Sequence, residues 1–161
     1  MYDLLAWLEG SALGHAMRAA GVWTYGLVNL IHILGVSTLF GSLLLLDLRL
    51  LGLWRRVPLA SIATPVVPAA RVGFALAAAS GVCLIVTNAT EYTGNPFLLL
   101  KFPAIAAGLV NVMVLETLPE WRARSARSPA PPESRRLAIL GGVSLLCWSV
   151  AIASGRMIGY W

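Results

Sequence analysis

The chain has 161 residues, of which 58% are hydrophobic and 12% are charged, and its formal net charge is +5. A soluble domain is closer to half apolar and one quarter charged, so the excess of apolar side chains indicates a lipid environment. Nucleic-acid binding is not expected, because the arginines cluster in short segments between apolar runs, as in membrane proteins. At this length we expect residues 1–161 to form a single transmembrane domain.

Residues 1–20 form a segment that is too polar to cross a membrane easily. Leu4, Leu5 and Trp7 lie at helical spacing, and Asp3 and Glu9 interrupt them on the other side. This pattern predicts an interfacial amphipathic helix, broken near Gly10–Ser11.

Four apolar segments follow, each close to the ~20 residues that one helix needs to cross a bilayer. We predict spans at about 22–46, 69–90, 97–118 and 137–159. The short connection 91–96 is rich in helix breakers and makes the second and third spans an antiparallel hairpin. Residues 119–136, rich in Arg, Pro and Ser, are predicted to form a flexible cytoplasmic loop. The sequence therefore predicts an all-α, integral membrane four-helix bundle.

The basic residues predict the orientation of this bundle. Nine of the twelve belong to the first and third connections, namely Arg49, Arg55, Arg56, Arg71, Arg122, Arg124, Arg127, Arg135 and Arg136. The positive-inside rule then places these connections in the cytoplasm and both termini in the periplasm, for a protein of the bacterial inner membrane.

Small residues recur at four-residue spacing on three of the spans. The sets are Gly73, Ala77 and Gly81, then Ala104 and Gly108, then Gly155 and Gly159. Such faces permit close helix contact in lipid, within one chain or between copies in an oligomer.

His32 is a titratable side chain near the middle of the first span, where such groups are costly and often functional. At helical spacing it shares a face with Tyr25, Asn29 and Gly35. Gly35 leaves space beside the ring that a flat cofactor or a neighbouring helix can occupy. We consider two interpretations: a ligand of haem iron or a proton-handling group in a quinone pocket, and a neutral histidine bonded to a partner helix.

His15 is the only other histidine and lies in the interfacial segment. Ligation of haem b by His15 and His32 would require that segment to fold back into the bundle. One histidine alone, or Met17 or Met157 as the second ligand, is the alternative.

Lys101 is the only lysine and lies in the first turns of the third span. It either snorkels to the interface or binds a haem propionate, a quinone carbonyl or Glu91. Asn88 and Arg156 are expected at a similar depth. We therefore expect polar groups from four segments to converge in the outer half, namely Tyr25, Asn29, His32, Asn88, Glu91, Tyr92, Lys101 and Arg156.

Three further polar residues are interpreted as structural. Asp47 and Arg49, at the inner end of the first span, are expected to contact Arg71 or Glu116. Asn111 lies in the middle of the third span, where its amide is expected to bond to another helix.

Two stretches resemble a family of uncharacterised four-helix bacterial membrane proteins. One runs from His32-Ile-Leu-Gly35 through Gly41 to the Asp-Leu-Arg-Leu-Leu-Gly run at 47–52, and the later matches include Lys101, Asn111 and Arg156. The resemblance implies the fold and a set of important positions, without an activity. More loosely, the chain is similar to CopD-like copper-resistance membrane domains and to small b-type cytochromes.

Three functions are open on this basis, and no catalytic residue is assigned. The first is binding of haem or quinone around His32, as membrane partner of an electron-transfer system. The second is a small transporter or copper-handling protein that uses the same pocket with Met17 and Met157. The third is a structural or assembly subunit without chemistry.

Overall fold

The structure is a computed structural model that describes residues 2–125 and 135–161. Within these ranges all regular structure is helical. The α-helices are α1 (Tyr2–Glu9), α2 (Ala12–Ala19), α3 (Gly21–Leu50), α4 (Leu59–Thr87), α5 (Pro96–Thr117), α6 (Pro119–Arg122) and α7 (Arg135–Met157). Single turns of 3-10 helix lie at Ala89–Tyr92, Ala123–Ser125 and Ile158–Tyr160.

Four of the helices, α3, α4, α5 and α7, are long and apolar enough to cross a membrane. Their outward faces carry large apolar side chains, such as Trp23, which is 92% exposed, and Leu146, which is 65% exposed. A continuous apolar surface of this kind is unfavourable in water, whereas the lipid of a membrane can cover it. The predicted all-α membrane bundle is therefore confirmed.

Helix α4 begins at Leu59, ten residues before the predicted start of the second span. Pro65 and Pro68 lie inside it, and each removes only one backbone hydrogen bond. Ala63 and Val66 are buried in a core cluster with Leu46 of α3. This burial holds the segment in the helix and explains why the prediction from hydropathy was too short.

The four long helices form two close pairs, α3 with α4 and α5 with α7, and contacts between α3 and α7 join the pairs. Helices α4 and α5 are consecutive and antiparallel, but they are not a closely packed pair. The predicted hairpin is present in the connectivity, whereas the closest packing lies within the pairs α3–α4 and α5–α7. A gap between α4 and α5 is the consequence.

Small residues explain why α3 and α4 approach so closely. A Cβ atom added at Gly35 would lie 2.7 Å from the backbone nitrogen of Ala77. One added at Gly73 would lie 2.5 Å from the backbone nitrogen of Leu39. Both distances are shorter than van der Waals contact, so only glycine fits. The small-residue face of α4 is therefore used inside the chain.

The N-terminal helices α1 and α2 pack across the end of α4. The chain breaks between them at Gly10–Ser11, as predicted, and Ser11 caps α2 by accepting a hydrogen bond from the Gly14 amide. Leu5 and Met17 are buried beneath the two helices. The position of this segment at the membrane interface remains a prediction.

Part of the predicted loop 119–136 is ordered helix. Pro119–Arg122 forms α6, and Trp121 is only 4% exposed because it packs into the core beside Leu50 and Leu115. The prediction of a flexible loop was therefore wrong for this part. It was based on the arginine-rich composition of the segment, which does not reveal that the side chain of Trp121 is buried. Residues 126–134, which include Arg127, lie outside the described residues.

The bundle has two ends, which we name after His32 and Asp47. The His32 end contains the first half of α3 and the last half of α4, together with the start of α5 and the end of α7. The Asp47 end is the opposite one. Which of them faces the cytoplasm remains a prediction.

Candidate functional site

His32 is half-buried and faces α4. Its Nδ1 lies 3.0 Å from the carbonyl oxygen of Ala77 and 3.1 Å from Oγ of Ser80. A carbonyl oxygen can only accept, so this network assigns the proton to Nδ1. The second ring nitrogen, Nε2, then carries a lone pair, and it has no partner among the residues that the structure describes. A backbone carbonyl that fixes the tautomer in this way is common for histidines that bind a metal through the other ring nitrogen.

The side of the ring next to α4 is filled. A Cβ atom added at Gly81 would lie 3.1 Å from Cε1 of His32. The space that the sequence leaves at Gly35 is taken by the backbone of α4 at Ala77. Of the two possible occupants of that space, the structure places the neighbouring helix there. A ligand of His32 must therefore approach from the Nε2 side.

Lys101 of α5 lies near this imidazole. Its side chain packs against α7, where a Cβ atom added at Gly155 would lie 3.3 Å from Nζ. The ammonium is close enough to His32 for its charge to act on the ring. No carboxylate pairs with Lys101 among the described residues. Two different helices thus contribute an unprotonated ring nitrogen and a cation that has no ion pair among the described residues, both at the same end of the bundle.

The remaining predicted site residues form separate pairs. Asn88 donates to Glu91 over 3.3 Å, and Glu91 makes no ion pair with Lys101 in the described structure. Arg156 donates to the Tyr160 hydroxyl, and its guanidinium carbon Cζ lies 4.6 Å from the centroid of the Tyr160 ring. These pairs do not join His32 and Lys101, so the eight predicted residues make several small clusters.

Tyr25, Asn29 and His15 are exposed. Tyr25 lies near Tyr92, whose pKa is raised, first by burial and then by the neighbouring Tyr25 and Glu91. His15 Nδ1 lies 3.4 Å from an Arg18 nitrogen, on the surface of α2. Because α2 covers the last turns of α4, the structure does not bring His15 to His32.

The Asp47 end contains a second polar cluster. Asp47 is 2% exposed and bonds through its side chain to Ser144 of α7. Asn111 donates to the Leu140 carbonyl over 3.0 Å, so its amide does bond across to another helix. Arg71 pairs with Glu116 over 2.9 Å.

Arg49 does not make the predicted contact with Arg71 or Glu116. It turns back toward the α3–α4 connection and donates to the carbonyls of Val57 and Arg55. Arg49 lies in the last turn of α3 and is therefore next to the α3–α4 connection. The sequence alone does not show that the carbonyls of this connection are available to Arg49. Asp47 also takes an unpredicted bond, to Ser144, because it points into the bundle and away from the boundary.

A cavity of about 190 Å³ lies beside this cluster, between the two helix pairs. Asp47, Ser144, Asn111 and Trp148 line it, together with apolar side chains from α3, α4, α5 and α7. Two buried polar atoms at its wall have no hydrogen-bond partner among the described residues, namely Oδ2 of Asp47 and Nε1 of Trp148.

Sequence reasoning missed three residues that matter here, Ser80, Ser144 and Trp148. Each is buried and each lies on a helix that faces α3 or α5. A polar or aromatic residue on an otherwise small and apolar face is the only signal that could have identified them.

The described residues contain no group of three or more His, Cys, Asp or Glu side chains that could hold a metal ion. Met17 is buried on α2, whereas Met157 is 43% exposed at the end of α7.

No curated protein and no solved structure matches this chain. A model of a protein family does match, over residues 4–161, and it is described as a family of unknown function, DUF6644. This match agrees with the resemblance to an uncharacterised family and extends over nearly the whole bundle. The chain therefore belongs to the family of unknown function DUF6644.

Proposed function

We propose that this membrane protein binds a quinone between His32 and Lys101 and serves as the membrane partner of an electron-transfer system. The observation that carries the proposal is the fixed tautomer of His32 beside an unpaired lysine. One group accepts hydrogen bonds and the other donates them, and both are held by rigid helices.

This pair of groups matches the two states of a quinone. A quinone carbonyl accepts a hydrogen bond, and the Lys101 ammonium offers three donors for it. A quinol hydroxyl donates a hydrogen bond, and Nε2 of His32 accepts it. The ring body is apolar and is soluble in the lipid that surrounds the outward faces of the bundle.

Haem b is the other cofactor considered for this site. His32 would supply one axial nitrogen and Lys101 would pair with a propionate. The structure gives this form less support, because α4 fills one side of the ring and His15 lies on the surface of α2. We therefore favour the quinone.

A structural role is the second candidate, and the two bonds from His32 to α4 favour it. A buried histidine that joins two helices stabilises the bundle whether or not a ligand binds. The candidates differ at Lys101, which makes no hydrogen bond or ion pair in the described structure, so that only the quinone proposal requires its charge.

The test is a binding titration of the purified protein with decylubiquinone, for the wild type and three variants. Lys101→Met and His32→Gln are expected to weaken binding at least tenfold. Arg156→Gln is the matched control, because it removes a cation near the same end that is turned toward Tyr160. Equal binding by Lys101→Met and the wild type would refute the quinone site and leave the structural role. A Soret band after expression with haem supplied would instead show the haem form.

The location follows from the basic residues. Eight of the twelve lie in the two predicted cytoplasmic connections, and Arg71 lies just inside the second predicted span, which supports a bacterial inner membrane with the His32 end toward the periplasm. A quinone or redox partner subunit would then dock near that end.

A further inference from the structure

The cavity at the Asp47 end is separate from the proposed quinone site. His32 packs on Ala77 and Ser80, whereas the cavity begins near Leu39 and Phe74 and extends toward Asp47. We propose that this cavity is a second binding site, for a small lipophilic amine in its protonated form.

The size of the cavity sets the size of the ligand. An apolar cavity of ~150 Å³ is known to hold one benzene ring. The cavity of about 190 Å³ therefore accepts one ring with a short substituent. Its walls are mostly leucine and other apolar side chains, so the body of the ligand must be apolar.

The polar atom that needs a partner is Oδ2 of Asp47. The carboxyl group is 2% exposed, and Ser144 satisfies one part of it while Oδ2 has no partner in the described structure. A buried carboxylate without a full set of hydrogen bonds is costly. A ligand that donates to Oδ2 removes this cost, and an ammonium group also supplies the opposite charge.

The charges around the cavity favour a cation. Two carboxylates, Asp47 and Glu116, and one guanidinium, Arg71, line it. Arg71 and Glu116 pair with each other over 2.9 Å, which leaves the Asp47 carboxyl group without a cationic partner among the described residues. The rings of Phe74 and Trp148, with centroids 6.1 Å apart at 75°, add aromatic walls that attract a cation.

The gap between α4 and α5 gives the ligand a way in. The Arg71–Glu116 pair bridges these two helices, and its side chains are 71% and 50% exposed. The pair therefore lies at the mouth of the cavity and Asp47 lies at its buried wall. A lipophilic amine can pass from the membrane to Asp47 by displacing this exposed pair.

Ligand-detected ¹⁹F NMR on the detergent-solubilised full chain tests the proposal. The probe is 4-fluorobenzylamine, and the matched neutral control is 4-fluorobenzyl alcohol. We expect saturable line broadening for the amine, and binding at least tenfold weaker for the alcohol, because the charge-assisted bond is lost. The alcohol is the matched control because it has the same apolar ring and nearly the same size, and lacks the positive charge.

Two variants complete the test. Asp47→Asn is expected to weaken amine binding at least tenfold and to leave the alcohol nearly unchanged. Val112→Phe keeps Asp47 but fills the cavity, and it is expected to abolish amine binding. Should Asp47→Asn not fold, Val112→Phe and the comparison of amine with alcohol decide. Equal binding of amine and alcohol, unchanged amine binding by a folded Asp47→Asn, or no saturable binding at all would overturn the proposal.

Discussion

The contact of α3 with α4 leads to a sharp prediction at Gly35. Replacement by alanine places a methyl group 2.7 Å from the Ala77 backbone nitrogen, 3.0 Å from Cβ of Leu76 and 3.1 Å from the Gly73 carbonyl oxygen. Two of these three atoms are backbone and cannot rotate away. Helix α3 must then move from α4, which also stretches the bond from His32 to Ala77.

The expected cost follows from overpacking. An extra methyl group in a well-packed core destabilises by ~1–3 kcal/mol, and we expect Gly35→Ala in the upper part of this range. Gly41→Ala is the matched control, because it lies on the same helix and its added Cβ meets nothing within 4 Å. Both changes alter helix propensity equally, so their difference isolates the packing cost.

The assay is unfolding in mixed micelles by titration with sodium dodecyl sulfate, followed by circular dichroism. The free energy of unfolding should fall for Gly35→Ala and stay level or rise for Gly41→Ala. Equal values for the two variants would refute the close packing of α3 on α4. It would also remove the basis for the His32 tautomer, which depends on that packing.

Three further predictions use the described contacts. In the same assay, Asn111→Leu should lower the free energy of unfolding by ~1 kcal/mol, the usual value for a hydrogen bond between helices in a membrane. The control Asn29→Leu changes an exposed residue and should alter the free energy of unfolding little. Equal effects of the two variants would contradict the hydrogen bond of Asn111. Trp121→Ala should cost ~3–5 kcal/mol if α6 is packed as described, and a negligible loss would show a loose loop. The hydrogen bonds from the backbone and then the hydroxyl of Thr90 lower the pKa of Glu9. The chemical shift of the Thr90 amide should therefore titrate with a midpoint below the ordinary pKa of a glutamate, and a midpoint at or above that ordinary value would be inconsistent.

The sign of the pH effect at Glu9 follows from this direction. Its pKa in the folded protein lies below the value in the unfolded chain. The stabilisation is therefore complete above the unfolded pKa and is lost as pH falls through the folded pKa. The contact of α1 with the Ala89–Tyr92 turn, made by Glu9 and Thr90, should therefore weaken in acid.

The sequence is a good guide to the spans because an apolar run of ~20 residues has only one stable form in lipid, a helix. It is a poorer guide to where such a helix begins. The start of α4 passes through Pro65 and Pro68, and only tertiary burial of Ala63 and Val66 keeps it helical.

The candidate site shows a similar limit. The position of His32 and Lys101 near one end follows from the spans, but a sequence gives the face of a residue and not its partner. The partners Ala77 and Ser80 depend on the register of α3 against α4, which Gly35 and Gly73 determine through contacts with backbone atoms. Ser144 cannot be identified from the sequence as the partner of Asp47 for the same reason, because the pairing depends on the register of α3 against α7.

The central claim is that Nε2 of His32 is an open nitrogen that faces a ligand held by Lys101. The most direct measurement is ¹⁵N NMR of the His32 imidazole in lipid nanodiscs, with and without decylubiquinol. We predict a protonated Nδ1 in both states, and an Nε2 resonance that shifts on addition of quinol in the wild type and not in Lys101→Met. A protonated Nε2 without ligand, or an Nε2 resonance that ignores the quinol, would contradict the claim.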